Sequence, residues 1–173
     1  MSRKFVDLED SPEVTLKGFT KPVGSEVSFS PLIHEDRTLQ GSFEFECIDD
    51  IEEFMGQLQV RVVFLDNYAL NAMHEVEKNA FEAFKKMEVY TGQTQRDLFF
   101  NDQLKLKLKV KNDSWAFTSS DRSFTPAKHS KLKTGSTAEV TVAPGFYYTS
   151  EHCGVYLTVK NITFPKAVKT SKK

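Results

Sequence analysis

The chain has 173 residues, 39% hydrophobic, 27% charged and 12% aromatic, with 15 phenylalanines. This composition describes one folded globular domain and excludes wholesale disorder or dependence on a disulfide or metal for folding. The net charge of −1 hides a split, since residues 1–100 carry 10 Lys and Arg against 19 Asp and Glu, and residues 101–173 carry 13 against 5; such asymmetry points to a polyanionic partner for the basic part.

Residues 1–12 are charged and end in Ser11-Pro12, so they are expected to form a mobile arm, followed by one domain over 13–165 and a flexible basic tail over 166–173. Glu13–Phe19 and Glu26–Phe29 are short strand candidates, and Pro31 confines the second to a sheet edge. From Gly41 to Cys47, Phe43, Phe45 and Cys47 alternate with Ser42, Glu44 and Glu46, the pattern of a half-buried strand with an acidic outer face. Asp49–Met55 reads as one or two helical turns stopped by Gly56. Gln57–Leu65 is a strand with Leu58, Val60, Val62 and Phe64 on one face, and Val63 and Leu65 suggest partial cover on the other.

The strongest helix signal follows. Asp66 or Asn67 caps it, Leu70, Met73, Val76, Ala80, Phe84 and Met87 recur at steps of three and four, and Thr91-Gly92 ends it near Tyr90. Beyond Leu98 the period becomes two. Leu104, Leu106, Leu108 and Val110 alternate with Lys105, Lys107, Lys109 and Lys111, placing four apolar groups on one face and four ammonium groups on the other. Asn112-Asp113 is a turn, Ser114–Thr118 carries Trp115 and Phe117, and residues 119–131 form a long Ser/Thr/Lys-rich loop of the functional or disordered kind. Thr137–Val142 is a strand. Gly154–Phe164 closes the fold, with a bulge near Asn161 needed to return Ile162 and Phe164 inward.

No residue set with catalytic or metal-binding spacing is present: there is no HExxH, GxSxG, P-loop or Cys/His zinc pattern. The reading is therefore non-catalytic, with no cofactor and no metal. Cys47 and Cys153 stand far apart without a CxxC pair or a secretory leader, which points to an intracellular setting with free thiols. No run approaches the roughly 20 apolar residues of a membrane span.

The four alternating lysines read either as guards of an edge strand or as phosphate contacts. Arg122, Lys128, Lys131 and Lys133 in the following loop favour phosphate. Trp115, Phe117, Phe124, Tyr147, Tyr148 and Tyr156 are the rings able to stack on bases. Phe124 is singled out because its polar, basic loop offers no apolar neighbours to bury it.

The stretch Leu104–Phe164 resembles the core of phage- and viral-type single-stranded DNA-binding proteins. The features that carry the resemblance are the Lys-alternating strand, the aromatic strand after it, Leu132–Val142, the aromatic turn Phe146-Tyr147-Tyr148 and the closing Gly154-Val155-Tyr156-Leu157-Thr158-Val159. It implies a mainly β chain built as an OB-type five-stranded barrel, here with one long helix and extra N-terminal strands. It also implies a protein that coats single-stranded DNA during replication, recombination or repair, in a bacterial host's cytoplasm or a eukaryotic host's nucleus or replication site, using Lys105, Lys107 and Lys109 for phosphates and Trp115, Phe117, Tyr147 and Tyr156 for bases. Many members of that family end in an acidic tail that recruits partners, whereas this chain ends in lysines. RNA stays open as a ligand, as do replication or recombination proteins and self-association as partners. The rival reading is a self-assembling β-sandwich of a virion or complex without a nucleic-acid role, and a metal-dependent nuclease using the paired acids is a third.

Overall fold

The computed structural model describes residues 5–7, 14–34, 37–54 and 56–165. The basic tail, Met55 and the arm apart from residues 5–7 lie outside the described residues. In chain order the elements are β1 (Phe5–Asp7), β2 (Thr15–Leu16), β3 (Ser28–His34), β4 (Arg37–Cys47), β5 (Glu52–Phe54), β6 (Gln57–Phe64), α1 (Asn67–Lys85), β7 (Thr94–Arg96), β8 (Gln103–Leu108), β9 (Val110–Lys111), β10 (Ser114–Trp115), β11 (Thr118–Ser119), β12 (Thr137–Tyr148) and β13 (His152–Thr163). Among the described residues the chain is mainly β with one helix, which is not long and apolar enough to cross a membrane.

The longest ladders meet on β12. One edge pairs antiparallel with β13 from Tyr148↔Cys153 to Glu139↔Thr163. The other edge pairs with β4 over Thr137–Val142 and with β3 over Gly145–Tyr148. From β4 the sheet continues to β6 and then β8, while β7 and β11 add short parallel ladders to β13. Val142 faces Val159 and Thr141 faces Asn161, so Lys160 is the extra residue of a bulge. The expected phase correction is thus present, and Ile162 and Phe164 are buried.

Helix α1 covers this sheet as its periodicity requires. Asp66 caps it by accepting from the Tyr68 N–H at 2.9 Å, and Met73, Val76, Ala80 and Phe84 are buried. Phe84 meets Phe146 at 5.0 Å and Tyr148 at 5.3 Å between ring centroids, both of them residues of β12. Glu77, 6% exposed, accepts from the Leu98 N–H at 2.7 Å and so ties the helix to the segment that enters β8. Burial pushes its carboxyl above the usual range, although the Leu98 bond opposes the shift. Cys47 and Cys153 are buried free thiols, pushed up to about 11 chiefly by desolvation.

Several expectations need correction. Residues 5–7 are not free arm but β1, paired parallel with Thr38–Gln40. Glu52–Phe54 is a strand rather than a helical turn: Gly56, at φ 78°, turns the chain back into a hairpin with Glu52 opposite Gln59. The second N-terminal strand is not an edge, because β3 has β12 on one side and β2 and Thr20 on the other. Pro31 is tolerated because its backbone edge faces the β2 side, where its carbonyl accepts from the Lys17 N–H, and the missing N–H falls between the Thr20–Phe29 bridge and the β2 ladder at Leu32. The helix stops at Lys85, not near Tyr90, and single turns carry the chain on through Met87.

Gly145 of β12 has a packing role. A Cβ there would run into the ring of Tyr156, which itself meets Phe29 at 5.4 Å. Gly145→Ala is expected to cost about 1–3 kcal/mol in urea unfolding, the usual cost of overpacking. Adding Tyr156→Ala should make the two losses clearly less than additive; full additivity would show that the ring is not what Gly145 accommodates.

Candidate nucleic-acid interface

The β6–β8 ladder fixes which side chains share a surface. Val60↔Leu106 and Val62↔Leu104 face the core. The alternate pairs Gln59↔Lys107, Arg61↔Lys105 and Val63↔Gln103 face outward, with Arg61, Lys105 and Lys107 exposed. Like charges directly opposite one another across a ladder are destabilising. Asp49 relieves part of this at 3.3 Å from the Arg61 guanidinium, and Glu52 accepts from the Gln59 amide at 2.9 Å. Sequence reasoning missed Arg61. Its only signal was its phase with Gln57 and Gln59, and its meaning depends on which strand pairs alongside.

The four lysines do not continue on one strand. β8 stops at Leu108, and Val110–Lys111 begins a separate hairpin with Ser114–Trp115, turned at Asn112 and Asp113 with φ 55° and 62°. Val110 is 40% exposed rather than the fourth core residue of the row. Lys105 and Lys107 keep the expected face, while Lys109 and Lys111 are exposed beyond its end.

The aromatic expectations change more. Phe124 is 3% exposed, because the loop folds under and brings apolar neighbours that are distant in sequence. Trp115 stacks on Phe124 at 4.9 Å and on Phe117 at 5.0 Å, its indole N–H donates to the Phe124 carbonyl at 2.9 Å, and Phe124 meets Phe164 at 5.1 Å. Phe117 is buried, and Trp115 is half-buried and used within this stack. Tyr148 packs between Phe19 and Phe84. Tyr147 and Tyr156 are half-buried, and desolvation raises both phenols. Base stacking by Phe117 and Phe124 is therefore incompatible with their positions, and Tyr148 serves the core.

Other rings are exposed instead. Phe100, 80% exposed, pairs with Gln103 through both backbone bonds at the start of β8, across a turn with Asn101 and Asp102 at φ 53° and 61°. Phe54, 57% exposed, faces Gln57 at the start of β6. Because β6 and β8 run antiparallel, these rings stand at opposite ends of the face that carries Arg61, Lys105 and Lys107. The repeated Asn-Asp turn before and after β8 was the available signal for Phe100.

The loop after Trp115 is ordered by Asp121. Its carboxylate accepts from the Ser123 N–H at 2.8 Å and the Ser123 hydroxyl at 2.6 Å, and takes the Lys131 ammonium, which also lies 4.7 Å over the Phe164 ring. Lys131 is thus ion-paired within its loop, as Arg61 is with Asp49, although its side chain stays 49% exposed, and Arg122, Lys128 and Lys133 are exposed as well. Across the sheet the surface changes sign. Glu46 lies beside Val63 on the outer face, and Glu44 stands directly opposite Glu139 of β12.

The Lys131 bond, followed by the Ser123 bonds, holds the Asp121 carboxyl down at about 2. A depressed acid supports its contacts fully above the ordinary carboxyl range near pH 4 and loses them as pH falls through the folded value. Trp115 emission is therefore expected to stay constant down to about pH 4 and change between about pH 4 and 2, whereas Asp121→Asn should show the altered emission already at pH 7. In comparisons with known proteins, no family model, no curated protein and no solved structure matched the chain.

Proposed function

We propose that the protein binds and protects single-stranded DNA without catalysis and without strong sequence preference, along the outer face of β6 and β8. The observation that carries this is the register that sets Arg61 opposite Lys105, with Lys107 one step further, between the exposed rings of Phe54 and Phe100. Cations track phosphates and rings stack on bases, the two contacts that sequence-tolerant single-strand binding uses. A bound phosphate relieves the repulsion between the paired cations and releases counterions.

The strand order supports an OB-type barrel beneath this face. With β4, β6, β8, β12 and β13 taken as first to fifth, the sheet runs third, second, first, fourth, fifth. The end strands approach each other, with Cα atoms of β8 and β13 within 8 Å. In such barrels the second and third strands face the oligonucleotide, and here those are β6 and β8.

Fluorescence anisotropy with labelled oligothymidine at low salt tests the reading. Lys105→Glu with Lys107→Glu should weaken binding at least tenfold and flatten the dependence of affinity on salt, and Arg61→Glu should act in the same direction. Phe54→Ala and Phe100→Ala should each cost about 1–3 kcal/mol with the salt slope unchanged. Absence of binding at low salt, or binding indifferent to the double charge reversal, would overturn the proposal.

A further inference from the structure

An open groove of about 890 Å³ lies at the end of the β6–β8 ladder, where Leu58 and Leu108 form the last cross-strand pair. Leu58 and Leu108 are joined in its lining by Val110 from the β9–β10 hairpin and by Pro126 and Ala127 from the loop that Asp121 orders. Lys109, the residue directly after β8, also lines it. The row of cations therefore runs along β8 and into the groove, with successive lysines about 7 Å apart where the chain is extended.

The lining decides what part of a nucleic acid fits. Apolar side chains give a phosphate nothing, and although Gln57 and His129 in the lining offer hydrogen bonds, the carboxylates of Glu53 and Asp113 beside them repel one. A nucleobase has flat faces that gain from leaving water and edges that such polar groups tolerate. The volume falls within the range of small-molecule sites and exceeds the needs of either a purine or a pyrimidine, so it registers the presence of a base rather than its identity. A duplex base is stacked and paired and would have to be flipped out first, at a cost of a few kcal/mol.

From this we infer that the groove receives one unpaired nucleobase of the strand whose phosphates lie on Lys105 and Lys107, with Lys109 holding the phosphate at its mouth. This rests on the reading of the β6–β8 face as a single-strand interface. It adds a site at which single strands are told from duplexes.

Affinities of a labelled oligothymidine and an abasic oligomer of equal length are compared for the wild type, Ala127→Trp, which fills the groove from an exposed loop position, and Val110→Gln, which places a neutral amide on its apolar wall without altering the charge around Lys109. Both variants are expected to lose about tenfold in affinity for oligothymidine while binding the abasic oligomer as the wild type does. Unchanged oligothymidine binding in both variants, or equal losses for the two oligomers, would overturn the groove and leave the β6–β8 interface standing. Failure of the wild type to bind either oligomer would withdraw the interface and the groove together.

Discussion

Twelve residues of β12 hold two sets of neighbours at once, and every other placement in the sheet follows from that arrangement. One edge is committed to β13 along nearly its whole length, so the other edge must be shared between β3 and β4, whose connecting hairpin projects away from the line. β4 then carries β6, and β6 carries β8. The same strand seats the helix, since Phe146 and Tyr148 are the residues Phe84 packs against. The helix in turn holds the Leu98 backbone through Glu77, three residues before the Asn101-Asp102 turn that sets the start of β8. The candidate interface is thus fixed from two directions, through the ladder and through the helix, and both lead back to β12.

The charge split along the chain does not become two lobes. β6 from the acidic stretch lies beside β8 from the basic one, and β4 lies beside β12 in the same way. The acidic stretch supplies Arg61 to the cationic face, and the basic stretch supplies Glu139 opposite Glu44. What the bulk count registers as an N-terminal and a C-terminal sign appears in space as adjacent bands on one sheet surface. The loop cations divide in a different way: the Lys131 ammonium, itself exposed, is drawn to Asp121 within its own loop, whereas Lys128 and Lys133 are tied into the loop by their backbone N–H groups and leave their side chains exposed, as Arg122 does.

Features governed by local periodicity were legible in the sequence. The Leu/Lys alternation of Gln103–Leu108, the Phe/Glu alternation of β4, the capped helix and the bulge before Ile162 each follow from the order of residues within one element. Features governed by what comes alongside were not. Phe124 has no apolar neighbours in its own segment and finds them in Trp115 and Phe164 only after the loop closes under Asp121. Arg61 is one cation in an apolar strand until Lys105 is placed opposite it. Pro31 reads as an edge signal because the gap between the Thr20–Phe29 bridge and the β2 ladder, which leaves room for a residue without an N–H, has no local trace. Val110 fits the core alternation and is nevertheless exposed, since the tight turn at Asn112-Asp113 draws it into a hairpin of its own.

The bands of charge also bear on which polyanion the proposed interface suits. Neighbouring strands are about 4.8 Å apart, so a cationic face made by β6 and β8 is at most roughly 10 Å wide, bounded by Glu44 and Glu46 of β4 and by Asp49 and Glu52 at the Arg61 and Gln59 side chains. A duplex approached through its major groove displays two phosphate backbones about 12 Å apart, and one of them would fall over the carboxylates. A single backbone fits within the band, repelled sideways by the acids and held lengthwise by Arg61, Lys105 and Lys107, with its bases free to reach the rings at either end. On the proposed reading, the acidic residues of β4 and β12 narrow the range of polyanions the face would accept, and they do so without touching the strand, by making paths that stray from β8 towards β4 electrostatically worse.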